Sequence, residues 1–189
     1  MRVWENLSKP KKAGIIIGAV VVVVAGAFLY RLLVQLPVTL DSGVRIQTIG
    51  DDEQETVFRA FDIPLQEPAT LTEIVDVESF REPYAYLYVE VDKDKNEAFE
   101  TALLEHYERT DEPGYASQSG FFDHTEYASL TASDCVGRYV HSQQKQLTIE
   151  AFRLEDTMLY VVRTEDVPSD LKHFVWWQVW KGNYLKRDG

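Results

Sequence analysis

The residues of this 189-residue chain that come closest to a chemical pattern are Asp92-Lys93-Asp94-Lys95-Asn96. Their D-x-D-x-N spacing opens a calcium loop, in which alternate side-chain oxygens converge on a hard cation. The pattern then departs, with Glu97 where such a loop needs glycine and Leu103 where it needs a bidentate glutamate. An acidic turn between a strand and a helix accounts for the same residues. Two further patches, Glu105-His106-Glu108 and Asp123-His124-Glu126, join histidine to carboxylates, the groups that bind zinc or move protons. Neither has a recognised ligand spacing. His106 falls on the apolar stripe of an expected helix. Asp123, His124 and Glu126 fall in an expected loop and are the metal candidates of a second reading, a membrane-tethered metal-dependent hydrolase.

Cys135 is the only cysteine, so the chain has no intrachain disulfide and no C-x-x-C pair. His141 follows it by six residues on one expected strand, which places both on one face but roughly 20 Å apart, too far for a nucleophile and its base. Asp134 beside the thiol opposes thiolate formation. No G-x-S-x-G elbow and no cofactor fingerprint occurs. We therefore assign no catalytic residue and expect neither an enzyme nor a cofactor.

Binding chemistry is better represented. Tyr84, Tyr86 and Tyr88 share one face of an expected strand, and Trp176, Trp177 and Trp180 crowd the C-terminus. Exposed aromatic side chains concentrate binding energy at interfaces, while buried ones form a second core layer. A pocket lined by Tyr86, Tyr88 and Trp177 would make a small-ligand sensor. Asp51, Asp52, Glu53 and Glu55 form an acidic cluster suited to a cationic partner.

The elements that must position these residues read as follows. Strand alternation is clearest over Tyr84–Val91, where Ala85, Leu87, Val89 and Val91 alternate with the tyrosines. Asp94 and Glu97 suggest a capping box for a helix that carries Phe99, Ala102, Leu103, His106 and Tyr107 on one stripe and ends near Arg109. Leu147–Arg163 reads as an antiparallel hairpin turning at Leu154-Glu155-Asp156. Further strands are expected at Val44–Ile49, Thr56–Phe61, Leu71–Val77 and Cys135–His141. Phe174–Trp180 is valine- and tryptophan-rich and favours a strand, against a helix started by Pro168-Ser169-Asp170. The fold class is α+β: one antiparallel or mixed sheet with at least one packed amphipathic helix.

Eighteen residues from Ala13 to Tyr30 carry no charge, enough helix to reach roughly 27 Å and cross a bilayer. Ala13, Ile15, Val22, Phe28 and Tyr30 mark this anchor, which we extend over residues 13–36. Arg2, Lys9, Lys11 and Lys12 precede it and only Arg31 follows, so residues 1–12 are expected in the cytoplasm and residues 37–189 outside. The alternative is a signal peptide cleaved at Ala25 or Ala27.

Residues 37–189 hold 14 basic against 30 acidic side chains, a net of −16. That charge disfavours nucleic acid and peripheral docking on anionic lipid. No Asn-x-Ser/Thr acceptor lies beyond residue 36, which together with the missing disulfides favours a bacterial envelope. The sequence thus leads to a single-pass membrane protein. Its one extracytoplasmic domain is expected to bind another envelope protein, as a complex subunit, an assembly factor or an inhibitor of immunity type.

Overall fold

The computed structural model describes residues 16–30, 44–47, 49–65, 69–77, 84–112, 114–117, 122 and 125–186. The chain divides into two compact units, Met1–Pro37 and Val38–Gly189. In the first, an α-helix covers residues 16–30, every one of them exposed and none charged. Fifteen residues of helix reach about 22 Å, short of the ~30 Å hydrocarbon layer. Among the described residues no helix is long and apolar enough to cross a membrane. The remainder of the expected 13–36 span, with Ala13 and Ile15, lies outside the described residues. Val22, Phe28 and Tyr30 belong to the helix and are 70%, 48% and 68% exposed.

The second unit is an α+β domain. Its elements in chain order are β1 (Val44–Ile46), α1 (Asp51–Ala60), β2 (Thr70–Val77), β3 (Tyr84–Asp92), α2 (Asn96–Leu103), β4 (Tyr107–Arg109), a 3-10 turn (Ala132–Asp134), β5 (Cys135–His141), β6 (Thr148–Arg153), β7 (Thr157–Thr164), α3 (Ser169–Lys181) and β8 (Leu185–Lys186). The eight strands form one antiparallel sheet in the order β4-β5-β6-β7-β3-β2-β1-β8. The expected hairpin is β6–β7, with Arg153 opposite Met158 and the Leu154 amide donating to the Thr157 carbonyl at 3.1 Å.

Alternation along β3 divides the interior into two layers. Ala85, Leu87, Val89 and Val91 face a large aliphatic core shared with Val57, Phe58 and Phe61, with Phe99 and Leu103 of α2, and with Leu171, Val175 and Val179 of α3. All three helices therefore lie on this face. Tyr86 and Tyr88 face the other way, into a second cluster with Val75, Phe122, Tyr127, Phe152, Leu159 and Val161. Among the described residues no α-helix covers that face. The long connection between β4 and β5 does so instead, with Tyr127 stacked on Tyr88 at 5.6 Å between ring centroids.

A loop laid on a sheet has backbone groups that need partners, and one buried carboxylate supplies them. Glu150 in the middle of β6 is 3% exposed. It accepts the amides of Ala116 at 2.7 Å and Ser117 at 3.0 Å, and the Ser117 hydroxyl at 2.5 Å. These three hydrogen bonds, at roughly 0.5–1.5 kcal/mol each, hold the loop to the sheet.

Five sequence expectations change. Thr56–Phe61 belongs to helix α1, because Val57, Phe58 and Phe61 meet the core at helical spacing while the intervening residues face outward. Phe174–Trp180 lies in helix α3, where the Val175 and Val179 side chains pack onto the sheet. Helix α2 stops at Leu103, and Tyr107 is buried instead from β4, opposite His141. Lys95 rather than Asp94 stands at the N-cap of α2, without a side-chain cap. A bulge between Cys135 and Gly137 shifts the strand parity, so Cys135 packs against the tyrosine layer while His141 meets Tyr107 on the helix face.

Gly114 shows how closely the covering loop approaches. A Cβ placed there would overlap the Glu150 carboxylate. We expect Gly114→Ala to lower unfolding stability by about 1–3 kcal/mol in urea titration, through displacement of the loop from its carboxylate.

Candidate functional site

The residues singled out for binding fall into three places. Asp51, Asp52, Glu53 and Glu55 form the first turns of α1. Its N-cap Gly50 is extended, and the Gly50 amide donates to Glu53 Oε2 at 2.8 Å. Three acidic side chains in a first turn also meet the positive end of the helix dipole, about 0.3–1 kcal/mol each. Glu55 pairs with Arg59 one turn on. Asp51 and Asp52 stay exposed.

Glu53 does more than cap. Its Oε1 accepts from Gln178 Nε2 at 3.2 Å, joining α1 to α3 across 125 residues of sequence. Gln178 is 2% exposed, and its own carbonyl oxygen takes Asn183 Nδ2 at 3.2 Å. Gln54 bonds the Ala69 carbonyl at 3.1 Å and the Leu71 amide at 2.8 Å, which fixes α1 to the start of β2. Between α1 and α3 runs a groove of about 220 Å³ lined by Asp52, Glu53, Thr56, Val57, Ala60, Leu171 and Phe174. Its floor is apolar and its acidic rim comes from the N-terminal turn of α1.

Trp176 and Trp177 are 47% and 44% exposed on α3. Trp177 stacks on half-buried Trp180 at 4.9 Å and 12°, and Lys181 Nζ sits 5.2 Å from the Trp177 ring centroid. Pro168 starts this helix and Gly182 ends it in the left-handed region at φ 82°, where a residue without Cβ is unstrained.

The tyrosines are elsewhere. Tyr86 and Tyr88 are each 3% exposed beneath the covering loop, and Tyr84 is half-buried at its margin. They occupy the sheet face opposite α3, so Tyr86, Tyr88 and Trp177 do not line a common pocket. Burial raises the Tyr86 hydroxyl pKa, and the neighbouring Arg163 guanidinium works against that rise. Arg163 itself lies 4.6 Å from the Tyr115 ring centroid and pairs with Glu165 at 2.9 Å.

Of the metal candidates, Asp123 and His124 lie outside the described residues and Glu126 is exposed. Among the described residues no group of three or more histidine, cysteine or acidic side chains could hold a metal. In the D-x-D-x-N segment, Asn96 Oδ1 accepts the Tyr160 hydroxyl at 2.6 Å and the Lys93 amide donates to the Asp156 carbonyl at 3.3 Å. These bonds fit a strand-to-helix turn. His106 is exposed beyond the end of α2.

Three buried polar groups escaped sequence reasoning. His141 is 3% exposed; its Nδ1 accepts the Gln143 and Gln144 amides at 3.1 and 3.0 Å, which leaves Nε2 to donate to Asp62 at 3.0 Å. Both ring nitrogens are engaged, so His141 braces the corner after α1 and has no free nitrogen for a substrate proton. Asp62 turns that corner in the left-handed region, at φ 49°. Glu150 and Glu73 interrupt the apolar runs of β6 and β2. A carboxylate inside such a run demands a partner, and that was the available signal.

No protein family, no curated protein and no solved structure matches this chain.

Glu73 is 1% exposed and 3.4 Å from Arg45. Burial raises its pKa above the usual value near 4.5, the Arg45 guanidinium opposes the rise and Glu126 adds to it. A carboxyl group raised in the folded state favours folding below its unfolded pKa and loses that contribution as pH rises through the folded value. Urea titrations of the native protein and Glu73→Gln from about pH 4 to 7 should therefore show the native protein losing ground to the variant as pH rises. Relative gain by the native protein would mean that Arg45 outweighs desolvation.

Proposed function

We propose that this chain is a bilayer-anchored binding module: residues 13–36 hold it in a membrane, and the domain that follows receives a cationic, partly apolar segment of another envelope protein. The observation that carries the binding part is the groove between α1 and α3, apolar along its floor and rimmed by Asp52 and Glu53, with Asp51 exposed beside it. A domain of net −16 draws a cation toward that rim over several ångströms, and the apolar floor then adds short-range burial. The anchor reading is supported by fifteen consecutive exposed, uncharged helical residues, whose apolar side chains favour lipid over water and whose helical backbone satisfies its own polar groups. The basic residues before them orient the domain outward by the positive-inside rule. Confinement to a surface raises the effective concentration of any co-resident partner.

The acidic residues divide by role. Glu53 holds α1 to α3 and Glu55 pairs within α1, so Asp51 and Asp52 are the two to alter. In-cell cross-linking followed by mild-detergent purification should recover a stoichiometric basic envelope protein with the native chain. Recovery should fall at least roughly tenfold for Asp51→Lys with Asp52→Lys, given the coupling energies of close charge pairs. The protein should stay folded and thermal unfolding should fall by only a few degrees, the cost of removing two charges worth about 0.3–1 kcal/mol each from the positive end of the α1 dipole. Undiminished recovery would remove the acidic rim from the proposal.

A further inference from the structure

Helix α3 is apolar on both sides. At about 100° per residue, Leu171, Val175 and Val179 point to the sheet, and His173, Trp176, Trp177 and Trp180 share the opposite half. A helix that is hydrophobic all round needs cover on its second face. Six large hydrophobic side chains are exposed among the described residues of the domain. Three of them, Trp176, Trp177 and Leu185, belong to α3 and the strand that follows it.

We propose that this face rests in the headgroup layer of the lipid bilayer. Three observations select lipid as the cover. The side chains are tryptophans flanked by amines, the combination that settles at a membrane–water interface, where the ring is half in hydrocarbon and the ammonium reaches phosphate. Second, the local charge is the reverse of the domain's: α3 has Lys172, His173 and Lys181 against the single carboxylate of Asp170 in its first turn, within a domain of net −16. The rim carboxylates of α1 lie to one side, across Phe174. A basic aromatic strip complements anionic headgroups and repels the cationic partner expected at the groove.

The third observation is the tether. β8 pairs with β1, Leu185 opposite Arg45 and Lys186 opposite Val44, so the strand four residues after the end of α3 lies beside β1, the first strand of the domain. Residues 38–43 separate β1 from the end of the expected span, at most about 20 Å of chain. The C-terminal end of α3 thus leads to the neighbour of the strand that follows the tether.

This inference rests on the anchor reading, and two independent measurements separate them. The full chain carrying Trp4→Phe, so that only the α3 tryptophans report, is placed in phosphatidylcholine vesicles with and without lipid brominated near the headgroup end of its acyl chains. Bromolipid should quench the fluorescence roughly twofold, more so when phosphatidylglycerol is added, and iodide in the water should quench it less than in detergent. The pair Trp176→Ser and Trp177→Ser should free the remaining Trp180 signal from bromolipid without changing the far-ultraviolet spectrum. Fluorescence indifferent to bromolipid and open to iodide overturns the proposal. Indifference to bromolipid with iodide protection also overturns it, in favour of a protein cover. Flotation of the vesicles at alkaline pH reads the anchor alone. A chain that floats with unquenched tryptophans keeps the anchor and loses the docking, and one stripped by alkali yet quenched at neutral pH does the reverse.

Discussion

Glu150 sits at the centre of a sheet face that no helix covers among the described residues, and its carboxyl group holds a loop there instead. A polar side chain at 3% exposure is tolerable only while its partners stay in place, so the amides of Ala116 and Ser117 and the closeness of Gly114 come as one arrangement. Once that loop is pinned, Phe122 and Tyr127 fall onto Phe152 and Tyr88, and the tyrosine face of β3 becomes interior. Tyr127 completes the layer by donating to Glu90 at 2.9 Å and meeting Thr72 at 3.1 Å, the residue that the β2 bulge sets apart. The helix face is held by ordinary aliphatic packing. The loop face depends on hydrogen bonds to one buried carboxyl group.

That contrast explains which parts of the fold could be read from the sequence. β3 and the β6–β7 hairpin were legible because strict alternation and a three-residue turn are local signals. The second half of α1 resembles a strand because Thr56, Val57, Phe58 and Phe61 are β-branched or aromatic, whereas the core contacts follow the helical period. The acidic turn at Asp51–Glu53 was taken for a surface patch when it also marked a helix start. In α3, valine and tryptophan pointed to strand, while Pro168 before the segment and Gly182 after it framed a helix. Packing on the sheet decided the matter. Tyr107 lay on the helical period of α2 by coincidence and is buried from β4. The bulge that separates Cys135 from His141 leaves no mark in a single sequence.

The candidate site was legible in its residue types and not in its assembly. Asp51, Asp52, Trp176 and Trp177 were named from composition, and all four are exposed. What joins them is the Glu53–Gln178 bond across most of the domain, and long-range pairing of this kind has no sequence signature. Net charge has a similar limit. A value of −16 describes the domain from a distance, whereas α3 carries Lys172, Lys181 and three tryptophans against the single carboxylate of Asp170, and a partner at contact range meets that local composition.

The two ends of the sheet are β4, three residues long, and β8, two residues long. A terminal strand exposes a row of unpaired amides and carbonyls on which another chain can extend the ladder. Here each row is too short to nucleate such growth. Truncated borders keep the sheets of neighbouring molecules from fusing into a ribbon, and they do so by geometry rather than by electrostatic repulsion.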